Sequence, residues 1–287
     1  MELKEIYKVY EQCGYQVCTD TRKIVTNSLF FALSGENFNG NKFAGEALDK
    51  GCLYAVCDDE KITGDHIIQV TDVLKTLQDL ANYHRSKFDI PVLAITGSNG
   101  KTTTKELLAS VLVQKFDLLF TGGNLNNHIG VPLTLLGLRD NHDFALIEMG
   151  ANKPGDIQEL CEIADPTHGL ITNIGMAHIE GFGSKDGVVQ TKSEMYRYII
   201  KKEGVLLVNN NEPYLLPLTE NYPHCIEYGK GSQLDFELKA NDSKLEFSIE
   251  GRLIKTNLFG KYNANNALTA YVVGKQFAVE TSKIVDA

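Results

Sequence analysis

The chain has 287 residues, of which 43% are hydrophobic and 23% are charged, and its formal net charge is −9 at pH 7. This is the composition of a globular protein of about two domains, and the acidic balance argues against a nucleic-acid-binding surface. No apolar run approaches a membrane span, and the N-terminus lacks the apolar core of a signal peptide. The six cysteines show neither C-x-x-C pairs nor zinc spacing, so we predict buried free thiols. We therefore expect a cytoplasmic protein that binds no nucleic acid and does not insert into a membrane. We also expect a monomer, although these observations do not determine the oligomeric state.

Residues 1–88 are predicted to form a small α/β domain. Ser28 to Leu33 is an apolar run typical of a strand, and a polar, glycine-bearing loop follows at 35–41. Asp72 is placed to cap an amphipathic helix, whose apolar residues recur at helical spacing: Val73, Leu74, Leu77, Leu80 and Ala81. The segment Asp89-Ile90-Pro91 marks the start of a second domain over 89–287.

In this second domain strands and helices alternate, which predicts a parallel sheet with helices on both faces. The predicted strands are 91–95, 144–147, 169–173 and 204–208. The helix after the first of these carries Leu107, Leu108, Val111 and Leu112 on one face. The later helices are one with Pro154 in its first turn that ends near Ala164, one at about 186–201, and one from about Ala264. Residues 234–238 and 245–249 alternate strictly, which predicts an antiparallel ribbon with one solvated face.

The segment after the strand at 91–95 is typical of a phosphate-binding loop. It runs Thr96-Gly97-Ser98-Asn99-Gly100-Lys101-Thr102-Thr103 and meets the pattern G-x-x-x-x-G-K-[ST] except at its first glycine, where Ile95 stands. Glycines let backbone N–H groups close on phosphate oxygens, and the helix N-terminus adds about half a positive charge. Lys101 can reach the β- and γ-phosphates, and the Thr102 hydroxyl can hold Mg²⁺. We therefore predict a nucleoside triphosphate site formed by Gly97, Asn99, Gly100, Lys101, Thr102 and Thr103.

Three titratable residues are candidates for the chemistry. Glu148 ends an apolar strand, where it could ligate Mg²⁺ or be a loop carboxylate facing solvent. His178 follows the next strand and could contact a metal or phosphate, or be a hydrogen-bonded structural histidine. Lys192 shares a helical face with Val189 and Tyr196, so its amine either extends to solvent or is desolvated. A neutral amine can react with CO₂ to give a carbamate, an additional anionic metal ligand.

A cluster of amide side chains follows Thr121-Gly122-Gly123 in the sequence. Asn124, Asn126 and Asn127 can both donate and accept hydrogen bonds, which suits a polar substrate or phosphate. The same composition is typical of an Asx-rich turn, so both interpretations stay open.

Taken together, these segments resemble the Mur ligase family, the ATP-dependent amide-forming enzymes of peptidoglycan synthesis. The resemblance covers nearly the whole chain and rests on the phosphate loop and on these motifs: Gly123 to Pro132, Glu148-Met149-Gly150, Asn173 to Gly183 and Lys192-Ser193-Glu194. They are similar to the branch that adds D-alanyl-D-alanine to UDP-MurNAc-tripeptide. The branch that adds the third amino acid typically has Thr-Thr-Pro where this chain has Gly130-Val131-Pro132. Folylpolyglutamate synthetases lack a UDP-binding first domain.

The resemblance implies an α/β fold with a small N-terminal α/β UDP-binding domain at 1–88. A P-loop parallel-sheet ATPase domain with the added antiparallel ribbon would follow at 89–287. The family also has a C-terminal ligase domain, which this chain lacks, so we expect a truncated and inactive portion of such an enzyme. Two alternatives remain: a ligase that adds the third amino acid, and a nucleotide-binding module without catalysis.

The resemblance also implies a role for each matching residue. The catalytic residues would be Lys101, Glu148, His178 and Lys192. Two Mg²⁺ ions would be held by Thr102, Glu148, His178 and carbamylated Lys192, and the adenine of ATP by Asn263 and Asn266. The UDP-muropeptide would contact Thr21, Arg22, Ser34, Asn39, Gly40, Asn124, Asn126 and Asn127. A substrate carboxylate would attack the γ-phosphate of ATP, and the amine of D-alanyl-D-alanine would attack the resulting acyl phosphate.

Overall fold

The computed structural model describes residues 2–175, 182–238, 244–260 and 262–287. The helices are α1 (Leu3–Gln12), α2 (Ala44–Asp49), α3 (Val73–Arg85), α4 (Lys101–Leu112), α5 (Gly130–Leu135), α6 (Asp156–Ala164), α7 (Lys185–Lys201), α8 (Leu216–Thr219), α9 (Asn263–Gln276) and α10 (Thr281–Asp286). The strands are β1 (Val17–Cys18), β2 (Leu29–Phe31), β3 (Ser34–Gly35), β4 (Phe38–Asn39), β5 (Tyr54–Cys57), β6 (Ile67–Gln69), β7 (Val92–Thr96), β8 (Leu118–Phe120), β9 (Phe144–Glu148), β10 (His168–Ile171), β11 (Val205–Asn209), β12 (Cys225–Tyr228), β13 (Glu237–Leu238), β14 (Glu246–Ile249) and β15 (Arg252–Lys255). Within the described ranges, every helix is too short or too polar to span a bilayer.

The chain divides into two compact units. The first unit contains Met1–Asp89, His128–Arg139 and Ile163–Asp165, and the second contains Ile90–Asn127, Asp140–Glu162 and Pro166–Ala287. The sequence analysis placed the two short segments of the first unit in the second domain. The functional assignment of the two predicted domains stays a prediction.

The first unit is built on a parallel sheet in the order β1-β2-β5-β6, with a separate antiparallel hairpin of β3 and β4. Strand β2 lies inside the predicted apolar run and is buried along its length. The predicted cap of α3 is confirmed, because the Asp72 carboxylate accepts a hydrogen bond of 2.8 Å from the backbone N–H of Lys75. A cap of this kind contributes about 1 kcal/mol to helix stability.

The segment 128–139 belongs to the first unit because it packs on α1 and α3. The hydroxyl of Tyr10 donates to the carbonyl of Leu136, and His84 Nε2 lies 3.0 Å from the carbonyl of Leu138. Gln78 donates to the carbonyl of His128. Local sequence patterns do not reveal this docking, because the partners lie 50 to 126 positions apart.

The second unit contains a parallel sheet in the order β12-β11-β10-β7-β9-β8, so the predicted parallel sheet is confirmed. In the register of this sheet, Ile95 of β7 is opposite Glu148 of β9, and Thr96 is opposite Ile171 of β10. The carboxyl ends of these three neighbouring strands therefore meet at one edge, where ligands gather in α/β proteins. Buried apolar side chains hold α4 and α9 together with this sheet: Leu93, Leu108, Leu146, Leu170 and Leu268.

Two local predictions differ from the structure. Pro154 is not in the first turn of α6, because Gly155 has φ +90° and the helix begins at Asp156. The Asp156 carboxylate accepts hydrogen bonds from the backbone N–H groups of Asn152 and Lys153 instead, which closes the turn before the helix. The predicted antiparallel pairing of β13 with β14 is confirmed, but the ribbon has a third strand, β15. The sequence analysis missed β15 because only one of its residues, Ile254, is buried.

All six cysteines are free thiols, as predicted. Five of them are buried, and Cys225 is half-buried.

Candidate functional site

The loop between β7 and α4 depends on its glycines. Gly97 has φ +147°, and a Cβ atom there would lie 2.0 Å from Oγ1 of Thr172. Gly100 is the N-cap of α4 with φ +76°, and a Cβ atom there would lie 2.9 Å from Oδ1 of Asn266. A side chain at either position would be strained and would collide with a neighbour. The loop backbone can therefore approach a ligand closely, as phosphate binding requires.

Residues at the end of β10 hold this loop in place. The backbone N–H of Ser98 donates to the carbonyl of Asn173, and that of Asn99 donates to Oδ1 of Asn173, both at 3.0 Å. Thr172 Oγ1 and Asn173 Nδ2 both donate to the carbonyl of Asn99 at 2.8 Å. The sequence analysis gave these two residues no role, although polar side chains directly after a buried parallel strand are a usable signal.

Lys101 is the first residue of α4, and its ammonium lies over the loop between β7 and α4. The Nζ atom donates to the carbonyl of Gly97 at 2.8 Å and to that of Ser98 at 3.4 Å. Burial lowers the pKa of Lys101, and the Glu148 carboxylate opposes this shift. The arrangement leaves the ammonium near the open mouth of the loop, where it could meet a phosphate group. Thr102 and Thr103, which follow it, are exposed.

Glu148 is fully buried, so the alternative that it faces solvent is wrong. Its Oε1 atom accepts hydrogen bonds from Thr102 Oγ1 at 3.2 Å and from Asn126 Nδ2 at 2.8 Å. Its backbone N–H donates to Oγ1 of Thr121. Its Oε2 atom has no hydrogen-bond partner among the described residues.

The donors at this position fit a magnesium ion. A hydroxyl and a buried carboxylate with open lone pairs are the hard oxygen ligands that Mg²⁺ prefers. In the described part of the chain no group of three His, Cys, Asp or Glu side chains could hold a metal alone. Mg²⁺ usually binds through one or two protein ligands together with substrate phosphates. Thr102 and Glu148 would then be the protein ligands.

Lys192 is buried on α7, with 3% of its surface exposed, so the alternative that its amine extends to solvent is wrong. Its Nζ atom lies 5.7 Å from the ring centroid of Phe182. Burial, together with the positive charge of Lys101, lowers the pKa of Lys192 to about 8. This shift favours the neutral amine that carbamylation requires. His178, the other predicted ligand of the second ion, lies outside the described residues.

Glu194, from the Lys192-Ser193-Glu194 motif, caps the start of α6. Its two carboxylate oxygens accept hydrogen bonds from the backbone N–H groups of Gly155 and Gln158, at 2.8 and 2.9 Å. A carboxylate at this place satisfies the free N–H groups at the start of α6 and interacts favourably with the helix dipole. Glu194 therefore joins α7 to the start of α6.

The two asparagines predicted to meet adenine are neighbours at the start of α9. Asn266 Nδ2 donates to Oδ1 of Asn263 at 2.9 Å, and Thr104 Oγ1 donates to Oδ1 of Asn266 at 3.1 Å. Asn263 Nδ2 in turn donates to the carbonyl of Phe259. The structure thus brings both residues next to α4 and Gly100, while their contact with adenine stays a prediction.

One residue of the amide cluster, Asn126, contacts Glu148. Asn126 donates its side-chain N–H to Glu148, and its carbonyl accepts a hydrogen bond of 2.7 Å from the backbone N–H of Gly150. Asn124 and Asn127 are exposed. The structure therefore gives Asn126 a role in orienting Glu148, which the sequence analysis did not predict.

Lys105 is a further residue that the sequence analysis missed. It is fully buried on α4, and its Nζ atom lies 3.8 Å from Oε2 of Glu148. The signal in the sequence is the helical spacing of Lys105, which lies three and seven positions before the buried Leu108 and Leu112 and thus on the apolar face of α4. Fully buried lysines are rare, which marks this position for attention.

The first unit has its own candidate site, a cavity of about 840 Å³ beside the β3–β4 hairpin. Ser34 and Asn39 line it, and the Ser34 hydroxyl accepts a hydrogen bond from the backbone N–H of Gly40. The structure thus brings these three predicted residues together. Thr21 and Arg22 are not among the residues that line this cavity, and Arg22 forms an exposed ion pair with Asp20.

Asn41 is the residue of this cavity that the sequence analysis missed. Its side chain is buried, with Nδ2 donating to Asp58 Oδ1 at 2.6 Å and Oδ1 accepting from the backbone N–H of Asp58 at 3.0 Å. It therefore fixes the wall of the cavity that carries Asp58.

Comparisons with known proteins find relatives over most of the chain. Residues 95–274 match the family model described as the Mur ligase middle domain. The UDP-N-acetylmuramoyl-tripeptide–D-alanyl-D-alanine ligase of Bacillus subtilis is 37% identical over 94% of this chain and 60% of its own length. A crystal structure of MurF from Acinetobacter baumannii superposes with a TM-score of 0.87 at 32% identity, covering 94% of this chain and 61% of that one. MurF from Thermotoga maritima, solved in complex with ADP, gives 0.83 at 25% identity over 96% and 67%. The chain thus spans about 60% of the length of the Bacillus relative.

Proposed function

The chain belongs to the Mur ligase family, and from this we propose that it is the nucleotide- and UDP-muropeptide-binding part of an ATP-dependent ligase. The reaction would add D-alanyl-D-alanine to UDP-MurNAc-tripeptide during peptidoglycan synthesis. The observation that carries the proposal is the buried Glu148 carboxylate, whose Oε1 meets the Thr102 hydroxyl and whose Oε2 is open among the described residues. The name of the Bacillus relative states the same two substrates.

The chemistry follows from the charges of the reactants. A carboxylate of the muropeptide must attack the γ-phosphate of ATP, although both groups are anionic. Mg²⁺ would offset the charge on the phosphate oxygens and on the transition state. Lys101 would bind the phosphates from the loop mouth, while Thr102 and Glu148 would orient the metal. Asn126 would hold Glu148 in position through its hydrogen bond to Oε1.

A second metal ion belongs to the proposal as well. His178 and a carbamate on Lys192 would hold it, in addition to Glu148. Its support in this chain is the buried Lys192 amine with its lowered pKa. Asn263 and Asn266 would contact adenine from the start of α9.

The residues that would contact the UDP-muropeptide also belong to the proposal. Ser34, Asn39 and Gly40 would contribute through the cavity beside the β3–β4 hairpin, together with Thr21 and Arg22. Asn124, Asn126 and Asn127 would contribute from the amide segment. We also propose a cytoplasmic monomer that binds no nucleic acid, and the net charge of −9 supports the last of these points.

Two other functions compete with this one. Addition of the third amino acid is disfavoured by the names of the Bacillus, Acinetobacter and Thermotoga relatives. A nucleotide-binding module without catalysis would bind Mg·ATP through the same loop and Glu148, but it would have no use for a site that binds a UDP-muropeptide.

Binding and turnover experiments separate these possibilities. By calorimetry, the 287-residue chain should bind Mg·ADP and UDP-MurNAc-tripeptide. Phosphate release that requires ATP, this tripeptide and D-alanyl-D-alanine is then measured in a longer gene product that contains the chain. Phosphate release that requires UDP-MurNAc-dipeptide and a single amino acid would favour the ligase that adds the third residue instead. Binding of ADP with no affinity for any UDP-muropeptide would favour the non-catalytic module.

A further inference from the structure

Lys105 lies one helical turn beyond Lys101 on α4, yet its side chain is fully buried whereas Lys101 lies at the loop mouth. Its ammonium has two close acceptors. It donates to the carbonyl of Gly123 at 3.1 Å and lies 3.0 Å from Oε1 of Glu106. An ammonium buried in this way is unfavourable unless neighbouring groups compensate its charge.

The third neighbour of the ammonium is Glu148, whose Oε2 atom is 3.8 Å away. This separation brings the two opposite charges into an ion pair, but it is too long for a hydrogen bond. The bonds to Gly123 and Glu106 hold Nζ at this distance. Oε2 of Glu148 therefore keeps its lone pairs, although its negative charge is balanced inside the protein.

We propose that Lys105 is a positioning residue for the magnesium site: it balances the buried charge of Glu148 without occupying the oxygen that receives the metal. The inference deepens the proposed function and rests on it. Through Gly123, the same ammonium anchors the segment that carries Asn126, which in turn orients Oε1 of Glu148. Lys105 thus acts on both oxygens of the Glu148 carboxylate. It balances the charge at Oε2 directly, and it orients Oε1 through the amide segment.

Without Lys105, Glu148 would lose its buried counter-charge, and the amide segment that orients Oε1 would lose its anchor at Gly123. A metal-free nucleotide would lose little, because the loop backbone and Lys101, which bind its phosphates, stay in place. A nucleotide with Mg²⁺ would lose the carboxylate that orients its metal.

The first experiment compares ADP binding with and without Mg²⁺ by calorimetry. In Lys105→Met, the gain in ADP affinity that Mg²⁺ gives the wild type should fall at least about fivefold, while affinity in EDTA changes less than about twofold. Lys115→Met is the matched control, because Lys115 is an exposed lysine of the same unit that also donates to a backbone carbonyl, that of Phe277. It should retain the wild-type Mg²⁺ effect. An undiminished Mg²⁺ effect in Lys105→Met would overturn the proposal.

The second experiment needs no nucleotide and measures Tm in EDTA. Lys105→Met should lower Tm by about 10 °C, because it leaves a buried carboxylate without its counter-charge. The double variant Lys105→Met with Glu148→Gln should recover most of this loss. Equal losses in the single and double variants would show that Lys105 does not act through Glu148. If Lys105→Met does not fold, the same inference requires the double variant to fold as well as Glu148→Gln.

The two proposals fail in different ways. Wild-type protein that does not bind Mg·ADP would refute the proposed function. Only the role of Lys105 would be refuted if the wild type binds Mg·ADP but Lys105→Met and the double variant lose the same amount of Tm.

Discussion

The hydroxyl of Thr102 lies 3.2 Å from Oε1 of Glu148, a residue 46 positions later in the chain. The two meet because β7 and β9 are neighbours in the sheet, with Ile95 opposite Glu148 in the register. Thr102 enters the first turn of α4 directly after the loop that follows β7, whereas Glu148 is the last residue of β9. A hydroxyl and a carboxylate are thus placed at one strand edge, next to a loop suited to phosphates.

Replacing Lys101 with alanine should weaken binding of Mg·ADP without unfolding the protein. A charge-assisted hydrogen bond contributes about 1.5–3 kcal/mol, so the affinity should fall by about tenfold to a hundredfold. Calorimetry gives the affinity, and circular dichroism gives the Tm. The exposed Lys115→Ala is the control and should bind as the wild type does. An unfolded Lys101→Ala variant whose folded fraction binds ADP normally would contradict the assigned role.

Gly97→Ala should disrupt the phosphate loop. The positive φ of +147° is strained for alanine, and the new methyl group would lie 2.0 Å from Oγ1 of Thr172. Strain of this kind costs about 1–3 kcal/mol, and the loop must also move away from Thr172. We expect a lower Tm and loss of ADP binding. Gly122→Ala, with nothing within 4 Å of its new methyl group, should change neither quantity.

The stability of the protein should depend on the titration of Lys192. Its pKa is lowered from 10.5 to about 8, so between these values the unfolded chain carries a proton that the folded chain does not. The free energy of unfolding therefore gains a contribution as pH rises from about 8 to 10.5, whereas below pH 8 the full penalty of burying the charge is present. The difference between the two pKa values corresponds to about 3 kcal/mol.

This contribution is measured as a difference between two proteins, because other groups also titrate in this range. Urea unfolding of the wild type and of Lys192→Met is compared at pH 7.5 and at pH 10. The stability of the wild type relative to the variant should rise over this interval. A constant difference would show that the Lys192 amine is not desolvated in solution.

Carbamylation of Lys192 has its own test. With ¹³C-bicarbonate near pH 8, a carbamate resonance should appear in the wild type and be absent from Lys192→Ala. In a longer gene product with ligase activity, Lys192→Ala should lower the rate, and short carboxylates such as acetate should restore part of it. Lys201→Ala, at the exposed end of the same helix, should leave both the resonance and the rate unchanged. A fully active Lys192→Ala enzyme would refute the metal-ligand role.

Asn41→Ala should damage the cavity in the first unit. The substitution removes the acceptor for the backbone N–H of Asp58 and the donor to its carboxylate. A buried polar group left without its partner costs about 1–3 kcal/mol, so unfolding by urea should begin at lower concentration. Binding of UDP should weaken in parallel. Asn37→Ala, an exposed residue of the same cavity, serves as the control for stability.

Local signals in the sequence were sufficient for much of the fold. The cap at Asp72, the alternation of strands and helices, and the pairing of β13 with β14 were all predicted because each depends on residues close together in the chain. The phosphate loop could be found for the same reason, since its glycines, lysine and threonine lie within eight consecutive residues, Thr96 to Thr103. Pro154 was misplaced because the positive φ of Gly155 starts α6 two residues later.

Tertiary structure decided the environment of each charged group. The sequence could not tell whether Glu148 faces solvent or whether Lys192 extends its amine, because burial depends on which elements pack over a residue. It gave no sign that Lys105 stands beside Glu148, or that Asn126 donates to that carboxylate. The first contact joins residues 43 positions apart and the second joins residues 22 positions apart. Both exist only because the sheet places β9 between β7, which leads to Lys105, and β8, which leads to Asn126. The residue types in the site are thus fixed by the sequence, whereas their charges and partners follow from the packing of the sheet.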